Sequence, residues 1–280
     1  MKKLSSLLVL LLILASCRSQ ELIRPGDSLE VAFGKAYSLY EEERWRDAAS
    51  AFETVISVGR GTDTGQDAQY YLAESYYNSR QYLLAASEYE RYSSSHPNSE
   101  RRQEADFKAA LSYYNMSPRF NVDQTNTRQA IERFRLFMAR YPDADRAEEA
   151  AGRIDGLREK LARKNYEAAE FYMRTDRYGA AAVYYDIVMD QYPETSWAET
   201  SLYKQIDAYI QYADNSVPAR QEERYRKAVD SYEKYVQLFP RGDNRSEAER
   251  LYDEAREALT RFDTGEDEDV VTVDNRPLPE

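Results

Sequence analysis

The chain has almost no cysteine or histidine, the residues on which zinc sites and Cys–His or Ser–His–Asp centres depend. Among its 280 residues there is one cysteine, Cys17, and one histidine, His96. Structural zinc sites need several Cys or His ligands, and nucleophilic triads need a histidine beside the nucleophile. His96 directly precedes Pro97, a pattern that is typical of a turn. We therefore predict no metal site and no cofactor.

Other signs of an active site are missing as well. The glycines between residues 59 and 65 lack the P-loop pattern, so this stretch is interpreted as a loop between repeats. Carboxylates are plentiful, but runs such as Glu41-Glu42-Glu43 are typical of solvated helix faces. We predict that the protein is not an enzyme.

Positive charge is in the minority. Fifty acidic residues stand against 38 basic ones, which gives a formal net charge of −12. Such a surface argues against a nucleic-acid partner. The segment 263–280 is acidic and carries Pro277 and Pro279, so we expect a disordered tail there.

Only one long apolar run occurs, from Leu4 to Ala15, and Lys2 and Lys3 precede it. A membrane-spanning helix needs about 20 apolar residues, so the run instead has the features of a signal peptide. Its end, Leu14-Ala15-Ser16-Cys17, resembles the bacterial lipoprotein signal. We predict a signal peptide at 1–16, lipidation of Cys17 and a linker at 17–27; Arg18 after the cysteine favours the outer membrane. The alternative is an ordinary signal peptide followed by a chance cysteine.

The chain contains 25 tyrosines, and several of them stand in a repeated phrase, aromatic-x-x-Ala-x-x-x-aromatic. Its spacing places these residues on one face of a helix. A proline follows each copy except the first and is expected to stop the helix. The copies are Trp45-Ala48-Phe52, Tyr82-Ala85-Tyr89, Thr127-Ala130-Phe134 with one substitution, Tyr178-Ala181-Tyr185 and Tyr225-Ala228-Tyr232, and the prolines are Pro97, Pro142, Pro193 and Pro240.

An amphipathic helix precedes each phrase, and the resulting helix pairs resemble the tetratricopeptide repeat. Loops are predicted at Met116–Gln124 and Asn215–Ala219, a long helix within Asp145–Arg174 and a capping helix at Ser246–Phe262. The resemblance implies an all-α fold over residues 28–262. It would be a right-handed superhelical solenoid of about five tetratricopeptide-like pairs plus the C-terminal capping helix.

In the tetratricopeptide family the first helix of each pair lines a concave face. Mapping that face onto this chain gives an aromatic groove for an extended peptide, with packing between helices as the alternative for each residue. The predicted groove residues are Phe33, Tyr37, Tyr40, Tyr70, Glu74, Tyr77, Phe107, Leu111 and Tyr114.

The lipoprotein signal, the length and the repeats together resemble the BamD family of outer-membrane protein assembly lipoproteins. This resemblance implies a periplasm-facing protein, anchored in the outer membrane, whose partners are a BamA-type barrel assembly protein and unfolded outer-membrane proteins. The C-terminal pairs would face the BamA-type partner through a basic cluster, for which an ordinary solvated helix face is the alternative. The cluster consists of Arg153, Arg158, Lys160, Arg163 and Lys164.

Two other interpretations remain open at this stage. One is a different envelope scaffold with tetratricopeptide repeats, acting in pilus assembly or envelope maintenance. The other is a glycan-binding lipoprotein of the helical-repeat SusD type. That family is usually much longer, and two tryptophans leave few rings for sugar stacking.

Overall fold

The computed structural model describes residues 23–263, and all regular secondary structure in that range is helical. The all-α prediction is confirmed. Residues 1–22 and 264–280, with the predicted signal peptide, Cys17 and nearly all of the acidic tail, lie outside the described residues. No helix among the described residues is both long and apolar enough to cross a membrane. The helices are α1 (Leu29–Glu41), α2 (Trp45–Val58), α3 (Asp63–Asn78), α4 (Tyr82–Ser95), α5 (Arg102–Met116), α6 (Thr125–Arg140), α7 (Ala147–Arg174), α8 (Tyr178–Gln191), α9 (Trp197–Asp214), α10 (Pro218–Leu238) and α11 (Arg245–Asp263).

Helix ends follow the capping and proline signals of the sequence. Ser28 Oγ accepts a hydrogen bond from the Val31 backbone N–H at 3.3 Å, which caps the start of α1. Each of the four prolines lies two residues beyond the end of its helix, α4, α6, α8 or α10. The predicted long helix and capping helix are confirmed as α7 and α11.

Two predicted loops, Asn215–Ala219 and the glycine-containing stretch 59–65, are shorter than expected, because each ends within the first turn of a helix. Pro218 starts α10, because the first turn of a helix leaves its backbone N–H groups unpaired and tolerates proline. Gly65 lies in the first turn of α3, where Thr62 Oγ1 accepts its backbone N–H at 3.0 Å. A Cβ on Gly65 would stand 2.0 Å from the Gly59 carbonyl oxygen, so the glycine allows the chain to turn closely.

In each of three helix pairs, the turn between the two helices contains a residue with a left-handed backbone conformation. Glu43, Arg80 and Asp176 have φ values of 58°, 62° and 57°. Each lies two residues before the aromatic residue that begins α2, α4 or α8. The left-handed residue reverses the chain within a few residues, so the second helix of the pair packs beside the first.

The described helices form two compact units. Unit 1 contains the described residues up to 117 and residues 126–147, and unit 2 contains residues 118–125 and the described residues from 148 onward. The segment 118–125 is held within unit 2 by two side chains of α7. Lys164 Nζ donates to the Val122 carbonyl oxygen at 2.7 Å, and the Arg163 guanidinium lies 4.3 Å from the centroid of the Phe120 ring.

The repeated phrase supplies the core of both units. Its alanines Ala48, Ala85, Ala181 and Ala228 are fully buried, so a neighbouring helix can approach closely. The second aromatic is fully buried at Phe52, Tyr89, Phe134 and Tyr185. Burying one such ring stabilises the fold by roughly 1.5–3 kcal/mol.

Candidate functional site: an aromatic face in unit 1

Helix α1 presents three half-buried rings in a row. Phe33 and Tyr37 stack with centroids 6.0 Å apart, and Tyr37 and Tyr40 stack at the same separation. The interplanar angles are 13° and 23°, so the rings lie nearly parallel. All three are predicted groove residues, and the structure brings them together.

A fourth ring, Tyr71 of α3, completes this surface. Its centroid lies 5.0 Å from that of Tyr37 and 5.3 Å from that of Tyr40, in edge-to-face contact. Phe33 is in similar contact at 6.1 Å. We call these four residues the aromatic ladder. Sequence analysis missed Tyr71 because the repeat pattern assigns the neighbouring Tyr70 to the groove; the doubled tyrosine was the available signal.

The carboxylate of Glu74 lies buried beside the ladder, with 6% of the residue exposed. It accepts hydrogen bonds from Tyr89 Oη at 2.5 Å and from Tyr40 Oη at 3.4 Å. Lys108 Nζ forms an ion pair with the same carboxylate. A buried charge is costly unless it is paired and hydrogen-bonded, and these three donors meet that need. Glu74 therefore links α1, α3, α4 and α5.

The buried environment also determines which groups donate the hydrogen bonds to Glu74. Burial, together with the nearby charge of Glu74, raises the pKa of Tyr40 to about 12. Burial likewise raises the pKa of Tyr89 well above its ordinary value. Both hydroxyls therefore keep their protons at neutral pH and donate to the carboxylate.

The remaining predicted groove residues divide into two groups. Tyr70 and Phe107 are 6% and 1% exposed and pack in the core, Tyr70 against Tyr92 and Phe107 against Phe137. Tyr77, Leu111 and Tyr114 are half-buried and retain accessible surface. Asn115 Nδ2 donates to Tyr77 Oη at 3.0 Å. Among the predicted groove residues, Tyr114 is therefore the one accessible ring outside α1 and α3.

The five basic residues of the predicted partner surface lie on α7, and several already have partners in unit 2. Arg153 pairs with Glu149 at 2.7 Å, and Arg158 forms an ion pair with Glu194. Arg163 and Lys164 hold the segment 118–125 as described above. Burial lowers the pKa of Lys160. Four of the five cations, Arg153, Arg158, Arg163 and Lys164, therefore already contact other residues of unit 2.

Unit 2 repeats the glutamate–tyrosine pair of unit 1. Tyr185 Oη donates to Glu170 at 2.5 Å, and both residues lie 96 positions after Tyr89 and Glu74. Lys204 follows Lys108 at the same offset, whereas Leu111 corresponds to Asp207. Burial raises the pKa of Asp207, while the Lys204 charge acts in the opposite direction. The two units thus share the tyrosine–glutamate hydrogen bond and the sequence position of the lysine, but unit 2 has Asp207 where unit 1 has Leu111.

Residues 26–224 match the YfiO family, which is described as "Outer membrane lipoprotein". The match spans most of the chain and includes both glutamate–tyrosine pairs. The chain belongs to the YfiO family of outer membrane lipoproteins.

Two curated relatives share this family resemblance. Both are called "Outer membrane protein assembly factor BamD". The protein of Vibrio cholerae is 32% identical over 101 residues, which cover 34% of this chain and 42% of the relative. The protein of Caulobacter vibrioides is 29% identical over 90 residues, covering 32% and 30%. The chain thus aligns with less than half the length of either relative.

Among solved structures, the chain is similar to the TPR2AB domain of yeast Sti1 in its complex with pHSP90. The identity is 13% and the TM-score is 0.38, and the superposition covers 81% of this chain and 98% of the other.

Proposed function

We propose that this chain is a lipid-anchored scaffold subunit of the outer-membrane β-barrel assembly machinery. Membership of an outer membrane lipoprotein family supports this proposal, as do the names of the two relatives. Acylated Cys17 would hold the chain at the outer membrane, facing the periplasm. In this role the protein binds other proteins and performs no chemical step.

The observation that carries the proposal is the aromatic ladder. Four half-buried rings on α1 and α3 stand next to one another with their faces and edges in contact. Rigid aromatic side chains provide large contact area at a small entropic cost, which is typical of anchor positions in binding sites. The ladder therefore suits an extended segment with aromatic side chains. We propose that it binds the C-terminal signals of unfolded outer-membrane proteins.

The second part of the proposal concerns unit 2. Here the basic residues of α7 contact a BamA-type assembly protein. Arg153 is half-buried and pairs with the exposed Glu149, and it can exchange that pair for an acidic group of a partner at small cost.

Peptide binding tests the ladder directly. The probe is a labelled decapeptide ending in phenylalanine, titrated against the full chain in detergent and followed by fluorescence anisotropy. Tyr37→Ala should weaken binding by about tenfold, the effect of losing a moderate anchor residue. Tyr37→Phe is the matched control, because it keeps the ring, and should stay within about twofold. Unchanged affinity of a folded Tyr37→Ala variant would refute binding at the ladder.

Depletion and purification test the assembly role. Depletion should reduce many outer-membrane barrels together, and a barrel protein with periplasmic repeats should co-purify with the anchored chain. Normal barrel levels combined with poor growth on one polysaccharide would instead support the glycan-binding interpretation. Absence of a barrel protein from the purified complex would contradict the proposal.

A further inference from the structure

A small cavity opens on unit 1, and none of the residues of the aromatic ladder lines it. It measures about 270 Å³ and lies where the start of α5, the end of α6 and the segment before α7 meet. We call it the Phe107 cavity. Its lining residues are Glu100, Gln103, Glu104, Phe107, Phe137, Asp145 and Arg146.

The floor of the Phe107 cavity is aromatic. Phe107 and Phe137 are each 1% exposed, and their rings meet edge to face with centroids 5.3 Å apart. The rim is polar, because the other five lining residues are exposed. Three of those five are carboxylates, and only Arg146 is positively charged. A ring face surrounded by carboxylates is an environment that attracts a cation.

The fold itself shows which kind of cation fits. The guanidinium of Arg146 lies over the Phe107 ring, with its carbon 4.7 Å from the ring centroid. Arginine stacks on rings through its planar group and binds carboxylates with two parallel hydrogen bonds. Arg146 is exposed and belongs to the short segment between α6 and α7, so it can leave the ring without unfolding a helix.

We propose that the Phe107 cavity binds an arginine side chain, or less tightly a lysine side chain, of a basic segment of a partner protein. The incoming cation takes the place of Arg146 over Phe107, and Glu100, Glu104 and Asp145 neutralise it. Charge complementarity identifies this occupant, since the lining carries three carboxylates and one cation, Arg146, while Glu104 also forms an ion pair with Lys108 at 3.6 Å. The volume accommodates one long side chain. This site goes beyond the proposed function, in which cargo is bound through aromatic residues on other helices.

The test uses short capped peptides and the full chain in detergent. Acetyl-Gly-Gly-Arg-Gly-Gly-amide is titrated by saturation-transfer difference NMR, and peptides with Lys, Glu or Gly at the centre are compared with it. We expect saturable binding in the order Arg, then Lys, with neither Glu nor Gly binding. Arg146→Ala should tighten binding of the Arg peptide severalfold, because it vacates the ring.

Charge variants provide the matched control. Glu100→Gln combined with Asp145→Asn should weaken the Arg peptide by about three- to tenfold, the range for two exposed charge pairs. Glu132→Gln combined with Asp143→Asn removes the same charge from exposed positions outside the cavity and should change affinity less than twofold. All four positions are exposed, so folding should persist, which circular dichroism checks.

Three results would overturn the proposal: preferred binding of the Glu peptide, no tightening by Arg146→Ala, or equal weakening by both double variants. The outcome is independent of barrel assembly. Tyr37→Ala affects only the aromatic peptide, whereas the rim variants affect only the cationic one, so failure of one proposal is distinguishable from failure of the other.

Discussion

Individual tyrosine hydroxyls donate hydrogen bonds to carboxylates that lie buried or half-buried between helices. Tyr89 donates to Glu74 and Tyr185 donates to Glu170, each at 2.5 Å. Near the end of the described chain, Tyr235 donates to Glu199 at 2.8 Å. Tyrosine suits this position because its ring fills the core while its tip reaches a polar partner. The abundance of tyrosine in the chain has a structural cause at these sites.

Removal of one such hydroxyl should be costly. In Tyr89→Phe the buried Glu74 carboxylate loses its closest hydroxyl donor, so we expect a loss of about 1–3 kcal/mol in the free energy of unfolding. Urea denaturation measures this change. The control is Tyr82→Phe, which removes a hydroxyl from a half-buried tyrosine at the start of α4. Equal losses for both variants would contradict the role assigned to the Tyr89 hydroxyl.

Asp207 should make stability depend on pH. Burial raises the pKa of its carboxyl, and the nearby charge of Glu170 raises this pKa further. The charge of Lys204, a hydrogen bond from Gln211 and the charge of Arg250 act in the opposite direction and lower it. The folded state therefore binds the proton of the Asp207 carboxyl more tightly than the unfolded state does. Ionised Asp207 thus destabilises the fold, and this effect grows as the pH rises from below the unfolded pKa through the folded pKa.

Asp207→Asn removes this penalty. We expect the variant to melt at a higher temperature than the parent at pH 7, and the difference to shrink as the pH falls below the unfolded pKa of aspartate, about 3.9. Thermal unfolding followed by circular dichroism at several pH values measures it. Asp253→Asn, at an exposed position of α11, is the control. A difference that stays constant with pH would argue against titration of Asp207.

At the scale of helices and turns, the sequence predicted the features that depend only on neighbouring residues, such as helix ends. Prolines and the aromatic phrase marked the ends of α4, α6, α8 and α10, because these signals act within one helix. The left-handed residues Glu43, Arg80 and Asp176 could not be predicted, since none is glycine or asparagine. The ion pair of Glu74 and Lys108 joins residues 34 positions apart, so it depends on how consecutive pairs stack.

The left-handed turn offers a stabilising substitution. Arg80 is exposed and has a φ of 62°, a conformation that costs an L-residue roughly 1–2 kcal/mol and glycine almost nothing. After about 0.5–1 kcal/mol for the greater freedom of glycine in the unfolded chain, Arg80→Gly should stabilise the fold by up to ~1 kcal/mol. Arg80→Ala keeps the steric cost and serves as the control in urea denaturation. A greater gain with alanine than with glycine would contradict this account.

Two glycines within unit 2 helices should respond in opposite ways to alanine. A Cβ on Gly179 of α8 would lie 2.7 Å from Cζ of Tyr212, whereas a Cβ on Gly152 of α7 meets nothing within 4 Å. We expect Gly179→Ala to destabilise by about 1–3 kcal/mol through overpacking. Gly152→Ala should stabilise by up to ~1 kcal/mol through helix propensity. Urea denaturation of both variants checks the contrast, and a shared sign would contradict it.

At the scale of the whole chain, the two units carry equivalent tyrosine–glutamate hydrogen bonds. Because each of these bonds lies within its own unit, disturbing one should leave the other intact. We expect Tyr89→Phe to speed amide hydrogen exchange in α3, α4 and α5 and to leave α8, α9 and α10 unchanged. Mass spectrometry of exchanged peptides measures both regions in one sample. Equal acceleration in both units would show that the chain opens as a single cooperative body.

The path of the chain through segment 118–125 has a practical consequence for dissecting the protein. The chain leaves unit 1 after Ser117, contributes eight residues to unit 2 and then returns to unit 1. A recombinant fragment ending at residue 147 would carry Phe120 and Val122 without the α7 side chains that bind them. The complementary fragment would expose Arg163 and Lys164 without those contacts. Separate expression of the two halves would therefore yield two incomplete pieces, and unit 1 is better isolated by replacing 118–125 with a short linker.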